Sequence, residues 1–221
     1  PLKNEFTLPS HGFVFLNHPS AVKDFYDTSA IQNVYESEVA ELIESQMGAS
    51  KVMVFDHTFR TANHAIALEK KTRAPVKAAH NDYTTRSARQ RITDLLPAKE
   101  AVARLKHRFA IVQTWRPIRH PVLSEPFAIC DGRTIPKEGF VALQRRYSYR
   151  TAETYHLSFN PNHRWYYFPE MTPDEVIVFK VFDSDISKGV PFTAHTAFDD
   201  PQTPTGAPQR ESIESRALVF F

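Results

Sequence analysis

Apolar residues in the first half of the chain recur at two different spacings. Residues 12–20 (GFVFLNHPS) predict a short strand that ends in a turn, and residues 51–58 (KVMVFDHT) form a second β-rich run. Between these runs, residues 21–48 carry apolar side chains at helical spacing and end at Gly48, a typical helix C-cap. Residues 85–108 predict one or two helices, interrupted at the proline in their middle.

From Phe109 onward the pattern is that of strands separated by turns. Segments rich in Gly, Pro, Asn and Asp, such as RPIRHP, DGRTIP, NPNH and SDISKG, divide this half of the chain. The β-rich runs between them are FAIVQTW, PFAIC, GFVALQRRYSY, ETYHLSF, RWYYF, EVIVFKVF, PFTAHTAF and SRALVFF. Strands at such regular spacing predict a sandwich or a barrel.

We expect a single domain over residues 1–221, of α+β or mainly β class. Its helices should pack outside a mostly antiparallel double sheet. The proline-rich residues 199–209 (DDPQTPTGAPQ) are too short for an interdomain linker, and we interpret them as a loop between two strands.

Composition narrows the classes of function. Apolar residues make up 42% of the chain and charged residues 24%, which is typical of a protein that buries a core. A formal net charge of +2, with scattered basic residues, gives no reason to expect a nucleic-acid or membrane surface. The one cysteine, Cys130, lies in an apolar run, so we expect a buried inert thiol and a cytoplasmic protein without disulfides. A homodimer is left open.

A histidine and an aspartate stand two residues apart in HNDYT, where the pattern predicts the end of a strand. His80 and Asp82 are either turn residues or two arms of a metal site, and the pair alone is weak evidence. A distant His195 followed by an arginine strengthens the second interpretation. Two imidazoles and one carboxylate hold Fe(II) on one face of an octahedron, leaving positions for 2-oxoglutarate and O₂. A double-stranded β-helix, the jelly-roll or cupin-like core, would bring such residues together.

Two arginines are candidates for holding the distal carboxylate of 2-oxoglutarate. Arg210 with Ser212 forms an R-x-S pair, and we favour it over Arg216, which lies in the register of the last strand. On a continuous strand both arginines point to one face but lie roughly 20 Å apart, so they are not expected to share one ligand.

Four further residues are candidates for the substrate pocket, each with a structural alternative. Tyr166 and Tyr167 form an aromatic wall or pack in the core. Arg116 reaches an acidic group of the substrate or a carboxylate of the protein. Lys180, inside an apolar run, faces outward, is paired inside, or points into the pocket.

Many blocks in one order resemble a known family. They are VFDHTFR, HNDYTTRSARQR, DLLP, WRPI, AICD, NPNHRWYYFPEMTPDE, FKVFDS, FTAHTAFDDP and RESIESR. The chain resembles the non-haem iron oxygenases that include the fungal gibberellin desaturase and a protein of the cephamycin 7-methoxylation system. One departure is SARQR after HNDYTTR, where a Ser-Gly is expected.

The resemblance implies an Fe(II)/2-oxoglutarate-dependent hydroxylase or desaturase of secondary metabolism, acting on a small molecule. The iron ligands would be His80, Asp82 and His195. Two rival hypotheses are a cupin-like metal enzyme that does not use 2-oxoglutarate, and a catalytically silent partner protein of a biosynthetic pathway.

Overall fold

The computed structural model describes residues 5–146 and 151–221, which form two antiparallel sheets with helices against one of them. The strands are β1 (Phe13–Asn17), β2 (Lys51–Thr61), β3 (His80–Asn81), β4 (Phe109–Pro117), β5 (Phe127–Cys130), β6 (Phe140–Arg146), β7 (Thr151–Leu157), β8 (Trp165–Tyr167), β9 (Glu175–Asp183), β10 (His195–Ala197) and β11 (Glu211–Phe220). The α-helices are α1 (Leu8–His11), α2 (Thr28–Ala30), α3 (Glu36–Met47), α4 (His64–Lys70), α5 (Thr85–Leu95) and α6 (Ala98–Arg104).

The strands divide between the sheets in a regular way. The first sheet has the order β1-β9-β4-β11-β2 and the second the order β6-β7-β3-β10-β5-β8. Neighbouring strands in both sheets run antiparallel. Each of the eight runs predicted after Phe109 contributes a strand, and the predicted double antiparallel sheet is confirmed. Residues 147–149, the end of the predicted run GFVALQRRYSY, and residue 150 lie outside the described residues.

The core has two layers because the central strands of the first sheet are buried on both faces. On one face, Ile111 and Phe179 pack between the sheets together with Ile129 of β5. On the other face, Val112 and Val178 pack against the helical layer. Strands buried on both faces read as continuous apolar runs, which is why β4 and β9 lack a polar alternation.

The predicted helix of residues 21–48 is confirmed in its later part. It comprises α2, one π-helical turn (Ile31–Tyr35) and α3. Gly48 ends α3 at φ 62°, and its N–H donates to the carbonyl oxygen of Glu44. The predicted break at Pro97 separates α5 from α6.

Two expectations about the chain's environment can be compared with the fold. Cys130 is buried, and burial raises the pKa of its thiol to about 11, as expected for an inert cysteine. Among the described residues, no helix is long and apolar enough to cross a membrane.

Candidate metal centre and substrate cavity

His80, Asp82 and His195 meet on the second sheet. His80 lies in β3 directly opposite His195 of β10, and Asp82 follows β3 immediately. Since residues i and i+2 of an extended chain point to one side, the carboxylate joins the same face as the two imidazoles. One ligand atom from each residue lies within 4.8 Å of the other two, and no other group of three such residues occurs in the described part of the chain.

The imidazoles are arranged as metal ligands usually are. Nδ1 of His80 lies 2.7 Å from the carbonyl oxygen of Ala78, an acceptor, so Nδ1 carries the proton and Nε2 is left to bind. That Nε2 lies 3.3 Å from Oδ1 of Asp82. His195 is buried, and its Nδ1 has no hydrogen-bond partner. A buried imidazole whose Nδ1 has no partner in the protein, and one of whose ring nitrogens lies within 4.8 Å of the ligand atoms of His80 and Asp82, fits a site that a cation completes.

The electrostatics of the cluster favour the metal-binding forms of Asp82 and His195 but not that of His80. Burial opposes protonation of His80, but its hydrogen bond with Asp82 and the charge of that carboxylate raise the pKa of this imidazole above the ordinary 6.5, so a metal ion competes with a proton there. Burial, reinforced by the charge of His80, lowers the pKa of His195 to about 3, so this imidazole is neutral. Burial opposes ionisation of Asp82, but the charge of Arg216 and contact with His80 hold the pKa of this carboxyl well below its usual range. The set of a carboxylate and neutral nitrogen is the form that binds a divalent metal.

The second carboxylate oxygen of Asp82, Oδ2, is held in place by hydrogen bonds. Oδ2 accepts hydrogen bonds from Nε2 of Gln113 at 2.5 Å and from Nε and Nη2 of Arg216 at 2.8 and 2.6 Å. Arg216 also donates to Asp56 at 2.6 Å and to Glu214 at 3.2 Å. These bonds fix the carboxylate while leaving Oδ1 toward the histidines.

Arg210 lies elsewhere on the same inner face, just before β11. It is buried, and its Nη1 donates to the carbonyl oxygen of Glu125 at 2.5 Å. Its Nε and the hydroxyl of Ser212 are buried without a partner. The guanidinium stands 5.4 Å from the ring of Trp115, and stacked rings continue from Trp115 through Phe127 to His195. Burial lowers the pKa of Arg210 to about 10, which still leaves it charged at neutral pH.

The proposed substrate residues are not brought to the metal cluster. Tyr167 and Tyr166 lie on β8, the edge strand of the second sheet, and Tyr166 packs 4.7 Å from the ring of Phe6. Arg116 points to the helical layer, where its guanidinium lies over Tyr35. Lys180 is buried beside Asp183, with Nζ 3.6 Å from the carboxylate. Because β4 and β9 are buried on both faces, the sequence did not determine which face of the sheet the side chains of Arg116 and Lys180 point to.

A cavity of about 710 Å³ opens beside the metal cluster, with His80, Asp82 and Arg216 in its wall. One face of α5 also lines the cavity and contributes Arg86, Ser87, Gln90, Arg91 and Asp94. Tyr166 and Tyr167, for which an aromatic pocket wall was one of two alternatives, do not line this cavity, and most of its lining residues are polar. Polar residues recur four apart at positions 86, 90 and 94 of α5, and this spacing could have indicated a polar face of the helix. Nothing in the sequence indicated that this face lines the cavity beside the metal cluster.

Comparison with known proteins places the chain in a family. A family model described as an oxidoreductase/YMDC permease-like domain matches residues 1–220. The Fe(II)/2-oxoglutarate-dependent dioxygenase nvfI of Aspergillus novofumigatus is 34% identical over 227 residues, covering 100% of this chain and 80% of the relative. The chain belongs to the Fe(II)/2-oxoglutarate-dependent dioxygenases.

Other relatives and a solved structure agree with this membership. The α-ketoglutarate-dependent dioxygenase phiK of a fungal species is 33% identical over 98% of this chain and 80% of its own. The gibberellin cluster GA4 desaturase of Gibberella fujikuroi is 26% identical over 100% of this chain and 84% of its own. The structure of the iron and α-ketoglutarate-dependent endoperoxidase NvfI superposes with a TM-score of 0.90 at 32% identity, covering 100% of this chain and 82% of that one. The prediction of a dioxygenase that acts on small molecules and uses Fe(II), 2-oxoglutarate and O₂ is confirmed. The comparisons disfavour both rival hypotheses.

Proposed function

We propose that His80, Asp82 and His195 hold Fe(II), and that Arg210 with Ser212 anchors 2-oxoglutarate, in a single domain over residues 1–221. The enzyme then oxidises an unactivated C–H bond of a secondary-metabolite small molecule. The observation on which this depends is the convergence of three ligand atoms within 4.8 Å of one another. Two imidazoles and a carboxylate on one face leave three positions of an octahedral ion open.

The strand order supports a double-stranded β-helix as the core. Along the chain, β2, β3, β4 and β5 lie alternately in the first and second sheets, and so do β8, β9, β10 and β11. Such alternation winds the chain back and forth between two facing sheets. The remaining strands, β1 and the β6–β7 hairpin, extend the edges.

A few residues around the proposed metal site orient its ligands or exclude water from it. When bound, Fe(II) with 2-oxoglutarate and O₂ supplies the oxidising power that breaks the C–H bond. The carbonyl of Ala78 orients His80, and Gln113 with Arg216 orients Asp82, through the hydrogen bonds described above. The buried rings of Phe127 and Phe179, 5.3 and 5.1 Å from His195, keep water from that side of the centre.

The hydrogen-bond inventory favours Arg210 over Arg216 as the anchor of 2-oxoglutarate. Arg216 already donates to three carboxylates and to the hydroxyl of Thr58. A buried Arg210 with a free Nε, beside the free hydroxyl of Ser212, has donors to offer a carboxylate. Both groups are dry, so each bond to the carboxylate is stronger than in water.

The type of oxidation depends on where the substrate's hydrogens lie. Relatives are named hydroxylase/desaturase, as in efuI of Hormonema carpetanum, or endoperoxidase, as in NvfI. A common metal centre with different outcomes indicates that substrate placement decides among them, because a shift of about an ångström changes which bond is within reach.

The test of the metal site is succinate formation from 2-oxoglutarate by anaerobically purified protein given Fe(II) and air. We expect succinate from the native chain and none from His195→Ala. His64→Ala, an exposed histidine at the start of α4, is the matched control and should keep the native rate. Equal rates from His195→Ala and the native chain would refute the ligand assignment.

The anchor is tested separately through the concentration of 2-oxoglutarate that the enzyme needs. Arg210→Met should raise the KM for 2-oxoglutarate by about tenfold or more, the loss expected for a charge-assisted bidentate pair, with Fe(II) affinity unchanged. Arg210→Lys should recover part of the loss. An unchanged KM in Arg210→Met would move the assignment to another cation.

A further inference from the structure

Several cations of the cavity wall make no ion pair with a described residue, although the carboxylates of the wall are all hydrogen-bonded. The wall's carboxylates are engaged within the protein: Asp82 and Asp56 with Arg216, Asp94 with Gln90, and Glu153 with Thr84. By contrast, Lys71, Arg73 and Arg91 line the cavity and make no ion pair with a described residue. The bonds of Asp94 and Glu153 come from neutral groups and do not cancel their charge, but the seven arginines and lysines of the lining outnumber its four carboxylates, so the cavity wall is positively charged overall.

Arg91 is the most enclosed of these three unpaired cations. It lies on the face of α5 that lines the cavity and is half-buried, whereas Lys71 and Arg73 are exposed. Its guanidinium stacks 5.0 Å from the ring of Phe55, and its Nε is buried without a hydrogen-bond partner. A cation held in place over an aromatic ring, with a donor left free, is preorganised to receive an anion.

Resting on the function proposed above, we propose that Arg91 binds an acidic group of the oxidised substrate, so that the substrate class is small organic acids. A carboxylate is the group that best fits a planar guanidinium fork, which binds it through two parallel hydrogen bonds. The exposed cations Lys71 and Arg73 draw the anion toward the cavity, and Arg91 fixes its position relative to the metal.

The position of Arg91 explains why a polar cavity suits this chemistry. The helix α5 begins at a capping box between Thr84 and Ser87, two residues after Asp82. A short, capped connection from a metal ligand to the helix fixes the distance between the metal and Arg91. A substrate anchored at its acidic end then presents the same C–H bond at each turnover.

The test uses two fluorescent probes with one carbon skeleton. The first, 8-anilinonaphthalene-1-sulfonate, is an anion, and the second, N-phenyl-1-naphthylamine, is its neutral counterpart. Both are titrated under nitrogen into full-length protein loaded with Fe(II) and saturating 2-oxoglutarate, which blocks the co-substrate position. We expect Arg91→Met to weaken binding of the sulfonate by about tenfold or more and binding of the neutral probe by less than twofold, and Arg91→Lys to lose less.

The matched control is Arg89→Met, which removes an exposed arginine of the same helix that does not line the cavity. It should leave both probes unaffected. Unchanged sulfonate binding in Arg91→Met, an equal loss of both probes, or an equal loss in Arg89→Met would each overturn the proposal.

A third titration separates this inference from the function on which it rests. The affinity for 2-oxoglutarate, followed by the visible absorption of its complex with Fe(II), should be the same in native and Arg91→Met protein. A parallel loss of 2-oxoglutarate and sulfonate binding would make Arg91 a co-substrate anchor and overturn the proposal. Failure of the native chain to bind 2-oxoglutarate with Fe(II) would refute the proposed function, while the comparison of probes in the same protein without 2-oxoglutarate still tests Arg91.

Discussion

Arg216 joins the proposed metal ligand Asp82 to a set of charged residues on the other sheet, of which Glu214 and Arg60 are buried and Asp56 is partly exposed. Its guanidinium contacts Asp82, Asp56 and Glu214, and Glu214 is in turn paired with Arg60 at 2.6 Å. Removing a single partner from such a network leaves carboxylates buried without compensation, which costs more than the pair contributes.

Arg216→Met should therefore lower the free energy of unfolding by about 3 kcal/mol, measured by denaturant titration. It should also weaken the affinity for Co(II), a stand-in for Fe(II), by about 10- to 100-fold, because Asp82 loses its orienting bonds. Lys51→Met is the control, since the ion pair of Lys51 with Glu100 is half-exposed and should contribute about 0–1 kcal/mol. Equal effects of the two substitutions would contradict this role of Arg216.

His57, which is not a proposed metal ligand, makes the free energy of unfolding depend on pH. It accepts or donates a bond with Ser215 at 2.8 Å, and burial lowers its pKa below the ordinary 6.5 although Glu36 works in the opposite direction. The unfolded chain therefore takes up a proton on His57 before the folded protein does. The stability due to the neutral imidazole is complete above pH 6.5 and is lost as the pH falls through the lower folded pKa.

We expect the free energy of unfolding to fall between pH 7 and pH 5 more steeply in the native chain than in His57→Gln. The difference in slope is limited to about 1.4 kcal/mol per pH unit, the value for one proton. His64→Gln, at an exposed position, should keep the native slope. Identical slopes in all three proteins would show that His57 does not contribute.

The sequence pointed to the three residues that converge in the candidate metal centre but not to the residues that support them, and the reason is separation along the chain. His80 and Asp82 are recognisable because two residues of local spacing already bring them together. Arg216 is 134 residues from Asp82 along the chain, and Gln113 is 31 residues from it. Both residues contact Asp82 only after the sheets have packed. The directions of Arg116 and Lys180 stayed open in the sequence because an apolar strand buried on both faces gives no signal for the direction of one polar side chain.

Among the elements, α3 ends as its sequence predicts and the end can be tested. Gly48 adopts φ 62°, and a Cβ added there would meet no atom within 4 Å. The only obstacle to a side chain is the left-handed backbone conformation. Gly48→Ala should therefore lower the free energy of unfolding by about 1 kcal/mol, and Gly48→Asn by less. A larger loss in Gly48→Asn than in Gly48→Ala would contradict this explanation.

The limits of the shortest strands were beyond sequence prediction. The strand β3 has two residues and depends on its neighbours β7 and β10, not on its own composition. Conversely β2 extends to Thr61, beyond the predicted run, because its pairing with β11 continues to that point. The long strands follow from their apolar content, whereas the limits of the short ones follow from the sheet around them.

At the scale of the whole molecule, the metal is expected to stabilise the fold. Its proposed ligands come from two places far apart in the sequence, so the unfolded chain has no comparable site. Co(II) at 100 times its dissociation constant should add about 2.7 kcal/mol to the free energy of unfolding, or roughly 5–10 °C in Tm. His195→Ala should show no such increase at the same concentration. An equal increase in both proteins would indicate binding elsewhere.

The lengths of the strands have a consequence for the order in which parts of the molecule open. The proposed ligands stand on strands of two and three residues, whereas the charged network behind them stands on strands of ten and eleven. Short strands contribute few backbone hydrogen bonds, so amide hydrogen exchange should be fast at residues 79–83 and 194–198 and slow along β2 and β11. Local opening of the second sheet then lets iron bind and dissociate. The first sheet stays folded during this opening, so the ligand side chains return to the same positions against it.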